Sequence, residues 1–217
     1  MISGNPLLFQ TVSCRTGSAA KPLTAARVLL VWTLLAVGCG AVLRVFYPPA
    51  AAPLLMQGLQ LTDAPRTLWD VCRNVLCPQM LLLAGILLSS TCAVGQPFAL
   101  LCLAVRGCGI GLAGTDALLR LGTGTGLAAA GTLILPFGYC SALILVRAAE
   151  AAVPLSSALT RTLFLGQAAA ETGIRRTALL RIVPALLLLS LTACGLHTVL
   201  VWLFHDRLTG GILPSVI

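Results

Sequence analysis

Long apolar runs separated by short polar breaks dominate the chain: Val28–Phe46, Leu76–Val94, Phe98–Leu119, Leu127–Val146 and Leu180–Phe204. Each is close to the roughly 20 residues that an α-helix needs to cross the hydrocarbon core of a bilayer. None alternates polar and apolar positions as a transmembrane β-strand would. Inside lipid the backbone must bond to itself, which leaves helix as the solution for unbroken runs. The pattern predicts an all-α, polytopic transmembrane helix bundle with five spans, forming a single domain over residues 1–217. The second and third runs are joined only by Gly95-Gln96-Pro97, so they are expected to form a membrane hairpin. Pro136 interrupts the fourth run. It lacks an amide donor and crowds the preceding turn, so the fourth element is read as kinked there, with an alternative half-helix ending near Leu135 and a longer helix to about Leu159.

Composition agrees with this reading. Hydrophobic residues make up 58% of the chain and charged residues 9%, against roughly a quarter charged in soluble domains. The mean hydropathy of +0.99 places the chain in the membrane class, with little room for a separate soluble catalytic module. The first run could be a cleaved signal peptide, with Ala50-Ala51-Ala52 as the small residues before a cut. The long basic region before it, Arg44 at its far end and Pro53 after the alanines favour a retained span.

Charge then orients the bundle. Arg15, Lys21 and Arg27 precede the first span without an acid among them. Arg147, Arg161, Arg175, Arg176 and Arg181 face only Glu150 and Glu171 in the basic segment 147–179 and the start of the last span. The 47–75 segment balances Arg66 and Arg73 with Asp63 and Asp70. Basic loops stay on the cytoplasmic side, which predicts a cytoplasmic N-terminus, hairpin turn and 147–179 segment, with the 47–75 loop and the C-terminus outside. The net charge of +8 is explained by this topology and by attraction to anionic lipid. The basic residues form no patch interleaved with aromatics, so no nucleic-acid partner is expected. The expected surroundings are a lipid bilayer, with homo-oligomers left open.

Candidate chemistry is sparse. Of the nine cysteines, Cys39, Cys92, Cys102, Cys108, Cys140 and Cys194 fall well inside the runs, where a thiol behaves as a small apolar group. Cys72 and Cys77 lack the spacing of a zinc knuckle or redox pair. No H-E-x-x-H, G-x-S-x-G or in-span aspartate pair occurs. His197 lies mid-span with Ser190 a heptad earlier and reads as a helix–helix hydrogen bond. His205-Asp206-Arg207 caps the last span. Gly122-Thr123-Gly124-Thr125-Gly126 has the glycines of a phosphate loop without its lysine and reads as a flexible turn. No cofactor, metal or catalytic residue is expected.

Arg106 is the exception to this plainness. An arginine well inside a span costs several kcal/mol unless it snorkels, pairs or faces water. It is read as a contact in a polar cleft, as a snorkelled side chain, or as one bonded to carbonyls freed near Pro136. Gly107 and Gly111 follow it with the spacing that lets a neighbouring helix approach closely. Asp116 with Arg120, and Arg147 with Glu150, have the spacing of local helical ion pairs. The candidate helix-packing or partner residues are therefore Gly95, Pro97, Arg106, Gly107, Gly111 and Pro136.

The order of these features resembles the stage II sporulation protein M family. It comprises the apolar hairpin around Gly95-Gln96-Pro97, then Leu100-Leu101-Cys102-Leu103 leading into Arg106-Gly107 and Gly111, a glycine-bearing turn, an apolar run into Pro136, and a long helix ending near Thr162-Leu163-Phe164. The resemblance covers about residues 28–204. The family's basic residue is usually lysine where this chain has Arg106, and Phe137-Gly138 replaces polar residues after the proline. The resemblance implies a non-enzymatic membrane scaffold that anchors two peptidoglycan-degrading proteins, stage II sporulation proteins D and P, at the sporulation septum during forespore engulfment. The alternative reading is a small-solute transporter or permease subunit with a polar cleft near Arg106 and Pro136.

Overall fold

The computed structural model describes residues 22–48, 59, 67–92, 95–165 and 170–209, and the side chains among them within 25–164 and 177–204. The N-terminal Arg15 and Lys21, the Ala50–Ala52 stretch, Asp63 and Arg66 lie outside the described residues, as do the side chains of Glu171, Arg175, Arg176 and the His205-Asp206-Arg207 cap. Every element among the described residues is helical. Helix α1 is Pro22–Phe46, α2 is Leu68–Ser89, α3 is Gly95–Ala129, α4 is Leu135–Leu165 and α5 is Ala170–Thr209. Four stretches are long and apolar enough to cross a membrane: Ala25–Phe46, Leu68–Ser89, Gly95–Phe164 and Thr177–Phe204.

The third stretch is 70 residues long and doubles back on itself. The reversal is at Gly122, whose φ of 77° and ψ of 171° interrupt the α3 helix. That left-handed backbone favours glycine. A Cβ on Gly126 would lie 2.6 Å from the Ala117 carbonyl oxygen, so the two limbs touch at once after the turn. Further from it, a Cβ on Gly138 would lie 3.0 Å from Ile110, and at the far end the Gly95 amide donates to Ser156 Oγ at 3.1 Å. The limbs of the run are thus antiparallel over their whole length. The run of glycines read as a flexible turn is a folded one: Gly122 makes the bend and Gly126 the contact.

The remaining helices alternate in direction. Helix α2 opposes α3, since Gly85 packs on Phe98 and Ser89 on Gly95. Helix α1 runs with α3, because Gly107 faces Thr33 and Ala36, and Gly111 faces Val37 and Ala41. Helix α5 opposes α4, with His197 against Phe137 and Leu186 in one apolar cluster with Leu145 and Ala149. That cluster fills the end of the bundle near the α2–α3 turn, and a second, with Val71, Val75, Ile110, Ile134, Phe137 and Cys194, fills the end near Gly122. Leu59 is buried in the second cluster, so the chain between α1 and α2 returns onto the bundle there.

Boundaries differ from the hydropathy reading where polar side chains cap the backbone. Helix α2 begins at Leu68 rather than Leu76, because Thr67 is its N-cap and accepts from the Asp70 amide at 3.2 Å. Cys72 and Cys77 are therefore helical, and residues 68–75 belong to a helix rather than to the 47–75 loop. The same helix stops at Ser89 rather than Val94. The hydroxyls of Ser89, Ser90 and Thr91 donate to the carbonyls of Ile86, Leu87 and Leu88, saturating the last turn. The turn thus centres on Ser90-Thr91-Cys92, and Gly95-Gln96-Pro97 are the first residues of α3 rather than the connection itself. A proline is tolerated in a first helical turn.

Pro136 bends the bonding pattern without breaking the helix. Residues Ala130–Ile134 form a π-helical turn, and the Leu135 amide donates to the Ala130 carbonyl. Widening the preceding turn is how a helix makes room for a ring that cannot donate. The half-helix ending near Leu135 is therefore not formed, and α4 continues to Leu165. The first part of the basic 147–179 segment is accordingly helical, with Ala148, Ala149, Ala152, Leu155 and Ala158 buried against the bundle.

Candidate functional site

Helix α3 sits between α1 on one side and α2 and α4 on the other, and Arg106 and Gly107 divide these two sides between them. Successive helical residues point about 100° apart. Gly107 therefore faces α1 while Arg106 faces the interior of the bundle, where Phe137 of α4 and Cys194 and His197 of α5 lie.

On the α1 side the contact is backbone to backbone. A Cβ on Gly107 would lie 2.7 Å from both Ala36 Cβ and the Thr33 carbonyl oxygen. One on Gly111 would overlap the Val37 carbonyl oxygen and lie 2.8 Å from the Ala41 amide nitrogen, and one on Gly40 would overlap the Cys108 carbonyl oxygen. The neighbour of the glycine face is thus α1 of the same chain. At its two ends the seam is pinned by polar bonds. Trp32 Nε1 donates to the Leu100 carbonyl at 3.0 Å, and Arg44 pairs with Asp116 at 2.7 Å. The anticipated Asp116–Arg120 pair forms at 3.0 Å, so one carboxylate serves two arginines. Arg147 and Glu150 also pair, at 3.0 Å.

On the interior side Arg106 is 3% exposed, so it does not snorkel. Its guanidinium carbon lies 5.1 Å from the centroid of the Phe137 ring. His197, 5% exposed, stacks on that same ring with centroids 4.1 Å apart and planes 9° from parallel. Cys194 and His197, both on α5, lie within electrostatic reach of the guanidinium. The expected helix–helix hydrogen bond of His197 is replaced by this stack, and its Nδ1 has no partner among the described residues. Nor do Arg106 Nε and Nη2, Ser190 Oγ and Gln79 Nε2. Ser190, Cys194 and His197 recur at helical spacing and line one buried face of α5. A turn beyond Phe137, Ser141 donates to Gln79 Oε1 across the α2–α4 contact.

Charge balance inside this cluster is incomplete. The ion pairs among the described residues use Asp116 and Glu150 and leave Arg106 out. A desolvated cation over an aromatic face gains about 2 kcal/mol, whereas burying a guanidinium costs several. Arg106 is therefore buried without a carboxylate among the described residues, with Nε and Nη2 unpaired and the Phe137 ring beside the guanidinium.

The hairpin residues organise the other end. Gly95 leaves no room for a side chain, since its Cβ would overlap the Ser89 carbonyl oxygen. Its amide donates to Ser156 Oγ, which itself donates to the Cys92 carbonyl at 2.8 Å. One hydroxyl on α4 thus holds both sides of the α2–α3 turn. Pro97 is exposed on the first turn of α3, and Pro136 follows the π turn that leads to Phe137. Arg106 and Pro136 are thereby brought to one site, while Gly95 and Pro97 lie at the far end of the hairpin. Ser156, Gln79, Ser141 and Phe137 were not singled out as site residues; for the three polar ones the available sign was a hydrogen-bonding side chain inside an apolar run.

Among the described residues no three His, Cys, Asp or Glu side chains are grouped so as to hold a metal ion. No protein-family model, curated protein or solved structure matches this chain, whose described residues form a helical bundle with four stretches able to cross a membrane.

Proposed function

We propose that the chain is a non-catalytic membrane scaffold of the stage II sporulation protein M type, which anchors cell-wall hydrolases resembling stage II sporulation proteins D and P at the sporulation septum. The observation that carries this reading is the use made of the residues behind the resemblance. Gly95 is packed on the α2–α3 turn, Gly107 and Gly111 on α1, and Pro136 on a π turn inside a continuous helix. All serve helix assembly. Five crossings with the N-terminus inside are proposed as the topology, supported by the doubling back at Gly122 and the alternating helix directions. The same reading puts Arg27, Arg147, Arg161 and Arg181 towards one face of the bundle, as positive-inside orientation requires.

With the glycine face covered by α1, the partner surface moves outward. Leu34, Leu35 and Phe46 on α1, and Leu188, Leu196 and Trp202 on α5, are exposed apolar side chains available to lipid or to the spans of other proteins. Affinity purification of the tagged protein in mild detergent from sporulating cells tests the proposal. Co-recovery of the two hydrolases is the expected result; a folded bait that brings down neither overturns it.

A transporter is the second reading, favoured by the uncompensated Arg106. It predicts solute flux through the purified protein in liposomes that Arg106→Gln abolishes, whereas the scaffold reading predicts none.

A further inference from the structure

We infer that the bundle core enclosed by α2, α3, α4 and α5 holds a small monovalent anion, bound side-on by Arg106. Nε and Nη2 are the two guanidinium nitrogens whose N–H bonds share one edge, and it is this pair that has no partner. That edge is the fork by which arginine takes a planar oxyanion through two parallel bonds, or a halide between both donors. The side chain is 3% exposed, so bulk water does not solvate the edge.

The surroundings set the ligand's charge and size. One guanidinium calls for one negative charge. Among the described carboxylates, Asp116 is held by Arg44 and Arg120, Glu150 by Arg147, and Asp70 accepts from the hydroxyl of the α2 N-cap, Thr67. The neighbours of Arg106 include Phe137, Cys194 and His197, all buried, and a close-packed interior, with few voids larger than a water molecule, limits a ligand there to a few atoms. Chloride, nitrate and formate meet both conditions. The Phe137 ring beside the guanidinium excludes water from it and strengthens the attraction to an anion. The inference stands apart from the scaffold reading, since an occupied anion site is compatible with a protein that moves nothing across the membrane.

The test is the unfolding midpoint of the purified full-length protein in detergent at constant ionic strength, with sodium chloride, nitrate or formate exchanged for sodium gluconate. A ligand that binds only the folded state raises the midpoint with concentration. The midpoint is expected to rise and saturate with each small anion, to stay flat with gluconate, and to lose its anion dependence in Arg106→Gln. Arg106→Lys, which keeps the charge and loses the fork, is expected to weaken the apparent affinity by tenfold or more. A midpoint indifferent to anion identity overturns the proposal, as does an Arg106→Gln protein that responds like the parent. If Arg106→Gln does not fold, the chloride-35 line width of the unmodified protein decides instead: broadening reversed by nitrate supports the site, and no broadening overturns it. An unmodified protein without anion dependence, combined with an Asp63→Asn variant that acquires it, would identify Asp63 as the counter-ion and likewise overturn the proposal.

Discussion

Replacing Gly111 by alanine should loosen the α1–α3 seam, while the same change at Gly114, one turn further along α3, should not. At Gly111 the added methyl would overlap the Val37 carbonyl oxygen, and it would lie 2.9 Å from the Val37 carbonyl carbon and 2.8 Å from the Ala41 amide nitrogen. All three are backbone atoms, so no rotamer change relieves the overlap. Restoring ordinary contact near 3.5 Å with the overlapped Val37 oxygen requires a shift of well over about 1 Å. A gap of that size forfeits at least about half of each dispersion contact, and over about 30 atom pairs at 0.1–0.2 kcal/mol the loss is about 2–3 kcal/mol or more. At Gly114 nothing lies within 4 Å of the new methyl, and alanine improves helix propensity by up to about 1 kcal/mol. Denaturant unfolding in mixed micelles, followed by tryptophan fluorescence, reports both because Trp32 lies in the seam. Gly111→Ala should lower the midpoint and Gly114→Ala hold or raise it. Equal midpoints for Gly111→Ala and the parent, or a larger loss at Gly114, would refute the close backbone approach.

Two further substitutions probe the polar bonds at the ends of the bundle. Ser156→Ala removes the hydroxyl that bridges the Gly95 amide and the Cys92 carbonyl, which keep only their direct bond at 3.2 Å, so it should cost about 1 kcal/mol and expose the α2–α3 turn to limited proteolysis; an unchanged cleavage pattern would argue against the staple. Asp116→Asn leaves Arg44 without its carboxylate where the pair's side chains are only 14% and 12% exposed, whereas the Arg120 side chain is 50% exposed and free to reach water. The expected loss is about 3 kcal/mol for Asp116→Asn and less than about 1 kcal/mol for Arg120→Gln, read from the same unfolding curves; comparable losses for the two would show that Arg44 does not depend on Asp116.

Hydropathy alone was enough to recognise an all-helical membrane protein, because nothing else accounts for apolar runs of such length with so few charges. Helix ends were less legible. They depend on which hydroxyl bonds which carbonyl, and the three consecutive hydroxyl residues Ser89, Ser90 and Thr91 looked like ordinary span residues until each was seen to bond its own preceding turn. Gly107 and Gly111 announced a close helix contact, since side-chain-free spacing of that kind has one common use. Which helix would fill it was not legible, because spacing describes one surface and says nothing of its complement. Arg106 was visible as an anomaly of burial, but its ring partner Phe137 lies 31 positions away by sequence number, and such pairing emerges only once the chain doubles back at Gly122. The Arg44–Asp116 pair has the same character: Arg44 was seen alone at the end of a span and Asp116 only with Arg120, and the parallel run of α1 and α3 joins them.

The adjacency of Arg106 and Gly107 links the two halves of this fold. A helix in lipid gains nothing from hiding apolar side chains, since the tails outside are as apolar as the interior, so close packing and polar contacts must hold the bundle together. Gly107 supplies the first by letting α1 lie against the α3 backbone. That approach brings Ala36 and Thr33 onto the α3 surface one residue from Arg106. Helix α1 therefore covers α3 from the outside at the very level where the guanidinium lies inside. Were α1 drawn away, lipid or water would reach that level of α3, and the buried charge would find an exit to the interface. The bare glycine face thus stabilises the helix pair and also keeps the arginine in the interior. The burial of Arg106 and the close α1–α3 contact are thereby coupled, because adjacent residues of one helix carry them.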